Sequence, residues 1–234
     1  MKKATKALLL TLCAVVLVVG SVLGTLAYLT ARDTVENTFT VGDVNIKVDE
    51  SDVDENGEQE TTPDGETAPR VDENEYHLLP GQTYAKDPTM TVMAGSEESY
   101  VRMMVTFTHT NALKSFFGED FLTEEFISGW DSAVWPCVSI KDNGNYTVTY
   151  EFRYKNTVDA SDATEDIVLE PLFTHINVPG SLTGEQMKDI AGMQIIVEGH
   201  AIQAASFEAD TANGLTAEDV AWAAFDQQLA DTNP

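Results

Sequence analysis

Cysteine is almost absent from this chain of 234 residues, which contains only Cys13 and Cys137. Cys13 lies inside an apolar run near the N-terminus, so a chain that loses this run keeps only Cys137. A single cysteine excludes an intramolecular disulfide. Noncovalent packing must then hold the fold together.

Basic residues are also scarce, with 13 Lys and Arg against 39 Asp and Glu and a formal net charge of −26. Nucleic acids and anionic membranes are bound through clusters of Lys and Arg. The composition therefore argues against both as partners. It favours a well-hydrated surface, or one that attracts divalent cations.

Motifs of catalysis and cofactor binding are missing as well. The four histidines are His77, His109, His175 and His200, and no two lie within five residues of each other. The chain therefore lacks the His-Glu-x-x-His zinc motif, and it also lacks Gly-x-Ser-x-Gly and phosphate-loop motifs. Cys137 enters an apolar strand, where a buried, inert thiol is expected. The sequence predicts no catalytic residue and no cofactor other than calcium.

The N-terminus carries the pattern of an export signal. Lys2, Lys3 and Lys6 precede an apolar run from Ala7 to Leu29, and Gly24-Thr25-Leu26-Ala27 offers small residues for cleavage. The run is also about as long as a membrane-spanning helix. Residues 1–29 are therefore predicted to be a signal peptide or a retained anchor, and the protein is predicted to be secreted or held at the cell surface.

A strand is predicted directly after this run, over Thr34–Val48. An exported chain that begins with a strand can donate that strand to a neighbour, and Val35, Phe39 and Val41 supply the apolar side chains for it. The segment can equally pair within its own sheet. The residues leave these two alternatives open.

An acidic segment follows from Asp49 to Glu75, with twelve acidic residues and Arg70 as its one basic residue. Such a composition predicts a disordered loop. Within it, Asp52, Asp54, Asn56 and Glu58 resemble the opening of a calcium loop, in which alternate residues supply oxygens. The twelfth position, where a bidentate Glu is needed, is Pro63, so an ordinary solvated loop is the alternative.

Alternating strands dominate the rest of the chain. Asp142-Asn143-Gly144-Asn145 separates two of them and predicts a hairpin. Capping patterns predict helices that begin near Thr183 and Thr216. No βαβ alternation is present, so the predicted fold is mainly β: an antiparallel, jelly-roll-like β-sandwich with short helical insertions over 30–207, which includes the disordered loop 49–75. A C-terminal helix and tail are predicted over 208–234.

Three blocks of sequence resemble the TasA/camelysin group, Gram-positive proteins that depend on a SipW-type signal peptidase for export. They are Gly24–Thr30 with Asn37–Gly42, the turn Leu78–Gln82, and the late strand Gln194–Phe207. The resemblance implies a jelly-roll subunit of biofilm-matrix or envelope fibres that assembles by donor-strand exchange. Its implied partners are further copies or other matrix and envelope proteins, and the signal peptidase during export.

The sequence is also compatible with two other functions. Some members of the group are described as metallo-endopeptidases, although this chain has no recognisable zinc motif. A monomeric surface adhesin or calcium-binding module is the second alternative. The sequence favours a non-enzymatic structural protein, with a membrane contact only through an uncleaved leader.

Overall fold

The computed structural model describes residues 43–232. The predicted leader and the predicted donor residues Val35, Phe39 and Val41 lie outside this range. The strands are β1 (Ile46–Asp49), β2 (Thr83–Ala85), β3 (Thr89–Val92), β4 (Ser99–Phe107), β5 (Ile127–Ser128), β6 (Cys137–Gly144), β7 (Thr147–Arg153), β8 (Ile167–Val168), β9 (His175–Asn177) and β10 (Ile195–Gln203). The helices are α1 (Thr110–Phe117), α2 (Gly184–Asp189) and α3 (Ala217–Thr232). Within residues 43–232, no helix is long and apolar enough to cross a membrane.

The strands form three antiparallel sheets. The first sheet has the order β1-β3-β8, the second β10-β4-β7-β6 and the third β2-β9-β5. All the strand pairings are antiparallel. The prediction of a mainly β, antiparallel fold with a C-terminal helix is confirmed.

One hydrophobic core joins the sheets. Met90 and Val92 of the first sheet share it with Met103, Val105 and Phe107 of the second, and all five are fully buried. The alternation of inward and outward side chains along β4 follows from the period of two in a strand. Burial of each such side chain stabilises the fold by roughly 1.5–3 kcal/mol, so this core is the main source of stability.

The predicted hairpin is present as β6 and β7, but its turn is shifted. Asn145 and Tyr146 occupy the turn with φ of 52° and 59°, the positive values that a two-residue hairpin turn requires. Gly144, with φ of 77°, lies at a shift of register between the strands. The Tyr146 carbonyl accepts a hydrogen bond from the Thr110 N–H at 3.0 Å, which ties the turn to α1.

Both predicted helix caps are present. Thr183 and Gln186 form a reciprocal capping box at α2. At α3 the Asp219 carboxylate accepts hydrogen bonds from the Thr216 N–H and hydroxyl, while the Asp219 N–H donates to the Thr216 hydroxyl. The Asp219 carboxylate accepts hydrogen bonds from the Thr216 hydroxyl, from Arg153 and from the Thr216 N–H, and these lower its pKa to about 2. These capping patterns were therefore sufficient to predict where the two helices begin.

The acidic segment differs from its prediction. Residues 50–78, here called the strap, have a hydrogen-bonded course instead of the disorder predicted for 49–75. Isolated antiparallel bridges join Glu50 to Val71, Val53 to Gln59 and Thr61 to Thr67. Composition alone does not reveal this order, because it depends on the bridges and on hydrogen bonds of the partly exposed Arg70, described below, which offset the lack of apolar residues.

Candidate strand-binding groove

Strand β10 lies at an edge of the second sheet, and within residues 43–232 one row of its backbone groups is unpaired. The Thr108 N–H donates to the Gln194 carbonyl and the Ala204 N–H donates to the Glu98 carbonyl, so even-numbered residues of β10 face β4. Antiparallel alternation directs the N–H and C=O groups of the odd-numbered residues away from β4. Among the described strands, none pairs with this outer edge. As far as the described residues are concerned, this edge is open to an added strand.

A groove of about 820 Å³ lies beside this edge. Its lining combines apolar side chains with a run of acidic ones. The apolar part includes Val48, Leu78, Ile176, Met187, Ile190, Met193, Ile195, Ile196 and Val197, and the acidic part consists of Asp49, Glu50, Asp72, Glu73 and Glu75. An apolar floor beside a free strand edge suits an extended peptide that buries every second side chain.

Gly199 sets how closely β1 approaches β10. A Cβ atom at this position would overlap the Val48 side chain and come within 2.8 Å of Met90 Cε. Side chains of β1 and β3 thus pack directly over the glycine. The two edge strands therefore meet at Gly199, and the groove opens beyond it, where Ile195 and Val197 face Val48 and the strap.

A buried ion pair forms part of the groove wall. Lys86 Nζ lies 2.6 Å from Glu50 Oε2, and the two side chains are only 8% and 6% exposed. The ammonium also lies 5.8 Å from the ring centroid of Tyr76, whose hydroxyl donates to the Ala85 carbonyl. Burial raises the pKa of Tyr76, and the nearby Glu50 and Asp87 raise it further. This end of the groove is fixed by polar contacts.

Arg70 anchors the strap to the first sheet. Its guanidinium donates to the carboxylates of Asp49 and Asp87, to both of their carbonyls and to the Thr89 hydroxyl. Burial opposes ionisation of Asp49, but hydrogen bonds from Lys47 and Arg70 outweigh it and lower the pKa of that carboxyl. The one basic residue of the acidic segment is thus the residue that orders it.

The residues predicted for calcium lie together in a turn of the strap, where hydrogen bonds within the turn engage the Asp54 carboxylate. Asp54 Oδ1 accepts the N–H groups of Asn56 and Glu58 at 2.9 Å, and Oδ2 accepts the Asn56 side-chain amide. These hydrogen bonds lower the pKa of Asp54. The Asp52 carbonyl accepts the Glu60 N–H. Within residues 43–232, no group of three or more His, Cys, Asp or Glu is placed to hold a metal ion.

The histidines and the cysteine are separated in the fold. His77 lies in the strap, His109 precedes α1, His175 lies in β9 and His200 in β10. Cys137 begins the edge strand β6, where burial raises the pKa of its thiol. A raised pKa disfavours the reactive thiolate.

Sequence analysis missed a charged cluster under α3. Arg102, on the outward face of β4, is only 2% exposed and ion-paired with Glu151 and Asp226. Arg153 on β7 pairs with Glu151 and with Asp219. The sequence did contain a signal for this cluster. Trp222 and Phe225 are aromatic residues on the final helix, and they indicate that this helix covers the strand face on which Arg102 lies.

Comparison with known proteins adds no relative. No family model, no curated protein and no solved structure matches this chain.

Proposed function

We propose that this protein is an exported, non-enzymatic subunit of a Gram-positive cell envelope or biofilm matrix, with a jelly-roll-like sandwich, that assembles by strand donation. The donor is the segment Thr34–Val41 of one copy. The acceptor is the groove beside β10 of the next copy. The observation that carries the proposal is the free, odd-numbered edge of β10 beside an apolar floor.

The donor matches the groove in pattern. Val35, Phe39 and Val41 are all odd-numbered, so in an extended strand they point to one face, which they share with Asn37. That face would lie over Val48 and Val197. Glu36 has the opposite parity and would point away from the floor.

The donor also matches the acceptor in length. At about 3.3 Å per residue, the eight residues of Thr34–Val41 span about 26 Å, close to the nine-residue β10. Main-chain hydrogen bonds to the odd-numbered residues of β10 would supply affinity, and the apolar side chains would supply register.

Deletion of residues 34–41 tests the donor. We expect the shortened protein to remain folded and monomeric, because the core and all ten described strands lie after residue 42. Fibres should disappear in electron micrographs, and size-exclusion chromatography should show one monomer peak.

A scrambled segment of the same length is the matched control. It keeps composition and charge but places Val and Phe on both faces, so it should also fail to assemble. If the protein that lacks residues 34–41 forms fibres with the same repeat as the wild type, strand donation is contradicted.

A further inference from the structure

A row of basic side chains crosses the outer face of the second sheet. Arg153 on β7 lies opposite Arg102 on β4, and Arg102 lies opposite His200 on β10. Directly opposed side chains on neighbouring strands are close, and like charges in such positions repel. This row therefore needs acidic partners in order to be buried.

Glu151 of β7 pairs with both arginines, and helix α3 covers the row and supplies two further acidic partners. Arg153 Nη1 lies 2.7 Å from Asp219 Oδ1, and Arg102 is held by the carboxylate of Asp226. The Arg102 guanidinium also lies 4.3 Å from the ring centroid of Trp222 and 5.3 Å from that of Phe225. Cation–π contact and ion pairing thus hold one face of α3 on the sheet.

The attachment of α3 is local. Ala221 and Trp222 are the fully buried residues of the helix, while residues 223–231 are exposed apart from the half-buried Phe225. Residues 205–216, which connect β10 to α3, are mostly exposed. Release of α3 would therefore leave the core beneath the sheet in place.

His200 contributes to this attachment as a hydrogen-bond acceptor. Arg102 Nε donates to His200 Nδ1 at 3.2 Å, so Nδ1 must be unprotonated. The imidazole also packs on Phe225, with ring centroids 4.9 Å apart. Protonation would turn this acceptor into a donor and place two cations in contact beneath the helix.

We propose that α3 is a latch on the outer face of the second sheet, and that protonation of His200 releases it. Release exposes Trp222 together with the basic row of Arg102 and Arg153. The strand that carries His200 is also the strand whose free edge forms the groove, but the latch does not depend on strand donation.

The charges around His200 act in both directions. Burial and Arg102 of β4 lower its pKa, whereas Glu198 of β10, Asp226 of α3 and Glu151 of β7 raise it, and the net direction is downward from 6.5. A pKa below that of the unlatched state means that the latched state binds fewer protons. Latch stability is therefore present above pH 6.5 and falls as the pH drops below that value.

Hydrogen–deuterium exchange with peptide-level mass spectrometry tests the latch in the purified full chain. Between pH 7 and about pH 5, after correction for the intrinsic exchange rate, amides of α3 should lose protection several-fold. Amides of β4 should keep theirs over the same range.

His200→Gln is the decisive variant, because glutamine can accept the Arg102 hydrogen bond but does not titrate. Its α3 amides should stay protected at both pH values, and His200→Lys should expose them already at pH 7. The proposal is overturned if His200→Gln follows the wild-type pH profile, if wild-type α3 stays protected at pH 5, or if β4 loses protection together with α3.

Discussion

Val197→Lys is expected to abolish assembly, and Ile196→Lys is expected to leave it intact. Both residues border the groove, but the Val197 side chain packs against the core, whereas the alternation along β10 directs the Ile196 side chain to the opposite face, where it is 44% exposed. A lysine at 197 places a charge on the apolar floor that a donated strand must cover. Burial of an unpaired ammonium costs several kcal/mol, which exceeds what a few apolar contacts supply.

The pair forms a matched comparison, since the same charge is added at adjacent positions of one strand. Each purified variant is examined by electron microscopy for fibres and by urea unfolding for stability. A folded Val197→Lys variant that forms normal fibres would remove the groove from the account. Loss of fibres in both variants would show that added charge anywhere on β10 prevents assembly, which also contradicts the account.

Lys86→Met is expected to lower the free energy of unfolding by about 3–5 kcal/mol, because it leaves the buried carboxylate of Glu50 without its partner. This is a large share of the roughly 5–15 kcal/mol that a typical domain possesses. Urea unfolding followed by fluorescence measures the change. Lys155→Met serves as the control, since the Lys155 and Glu170 side chains are 37% and 55% exposed and such pairs contribute about 0–1 kcal/mol.

A double replacement separates the cost of leaving one charge unpaired from the cost of lost packing. Lys86→Met with Glu50→Leu removes both charges, so most of the lost stability should return. If Lys86→Met lowers the free energy of unfolding no more than Lys155→Met does, the Lys86–Glu50 pair does not stabilise the wall of the groove. If the double variant is as unstable as the single one, the cost comes from lost packing instead of the unpaired charge.

Local patterns in the sequence predicted the local structure well. The hairpin, the capping box at Thr183 and the cap at Thr216 each depend on residues within a few positions of one another, and all three are present. The turn of the hairpin was misplaced by two residues. Asn-Gly favours a turn, but the register of β6 against β7 puts Gly144 at a shift and leaves the turn to Asn145 and Tyr146.

Contacts between distant residues were not predictable in the same way. Arg70 orders the strap through Asp87, seventeen positions away, and Arg102 is covered by Asp226, 124 positions away. Composition treats both arginines as solvated charges. Only the fold brings their partners together, which is why the strap was predicted to be disordered and the cluster under α3 was missed.

The sequence could suggest only one of the two parts of the candidate site, the proposed donor segment. The proposed donor residues lie within one segment and share odd-numbered positions, so the sequence could suggest them, whereas the proposed acceptor groove combines residues from β1, the strap, α2 and β10. Its shape depends on Gly199, whose role appears only when Val48 and Met90 are packed against it. The proposed donor lies within one segment of sequence, whereas the proposed acceptor depends on how the sheets pack.

The most direct measurement is photocrosslinking between isotopically distinct copies. A light-isotope chain with a benzophenone amino acid in place of Phe39 is assembled with an unmodified heavy-isotope chain, irradiated and digested for mass spectrometry. The account predicts crosslinks from position 39 of the light chain to residues 195–203 or Val48 of the heavy chain. Crosslinks to those residues only within the light chain, or to the opposite edge at β6, would contradict it.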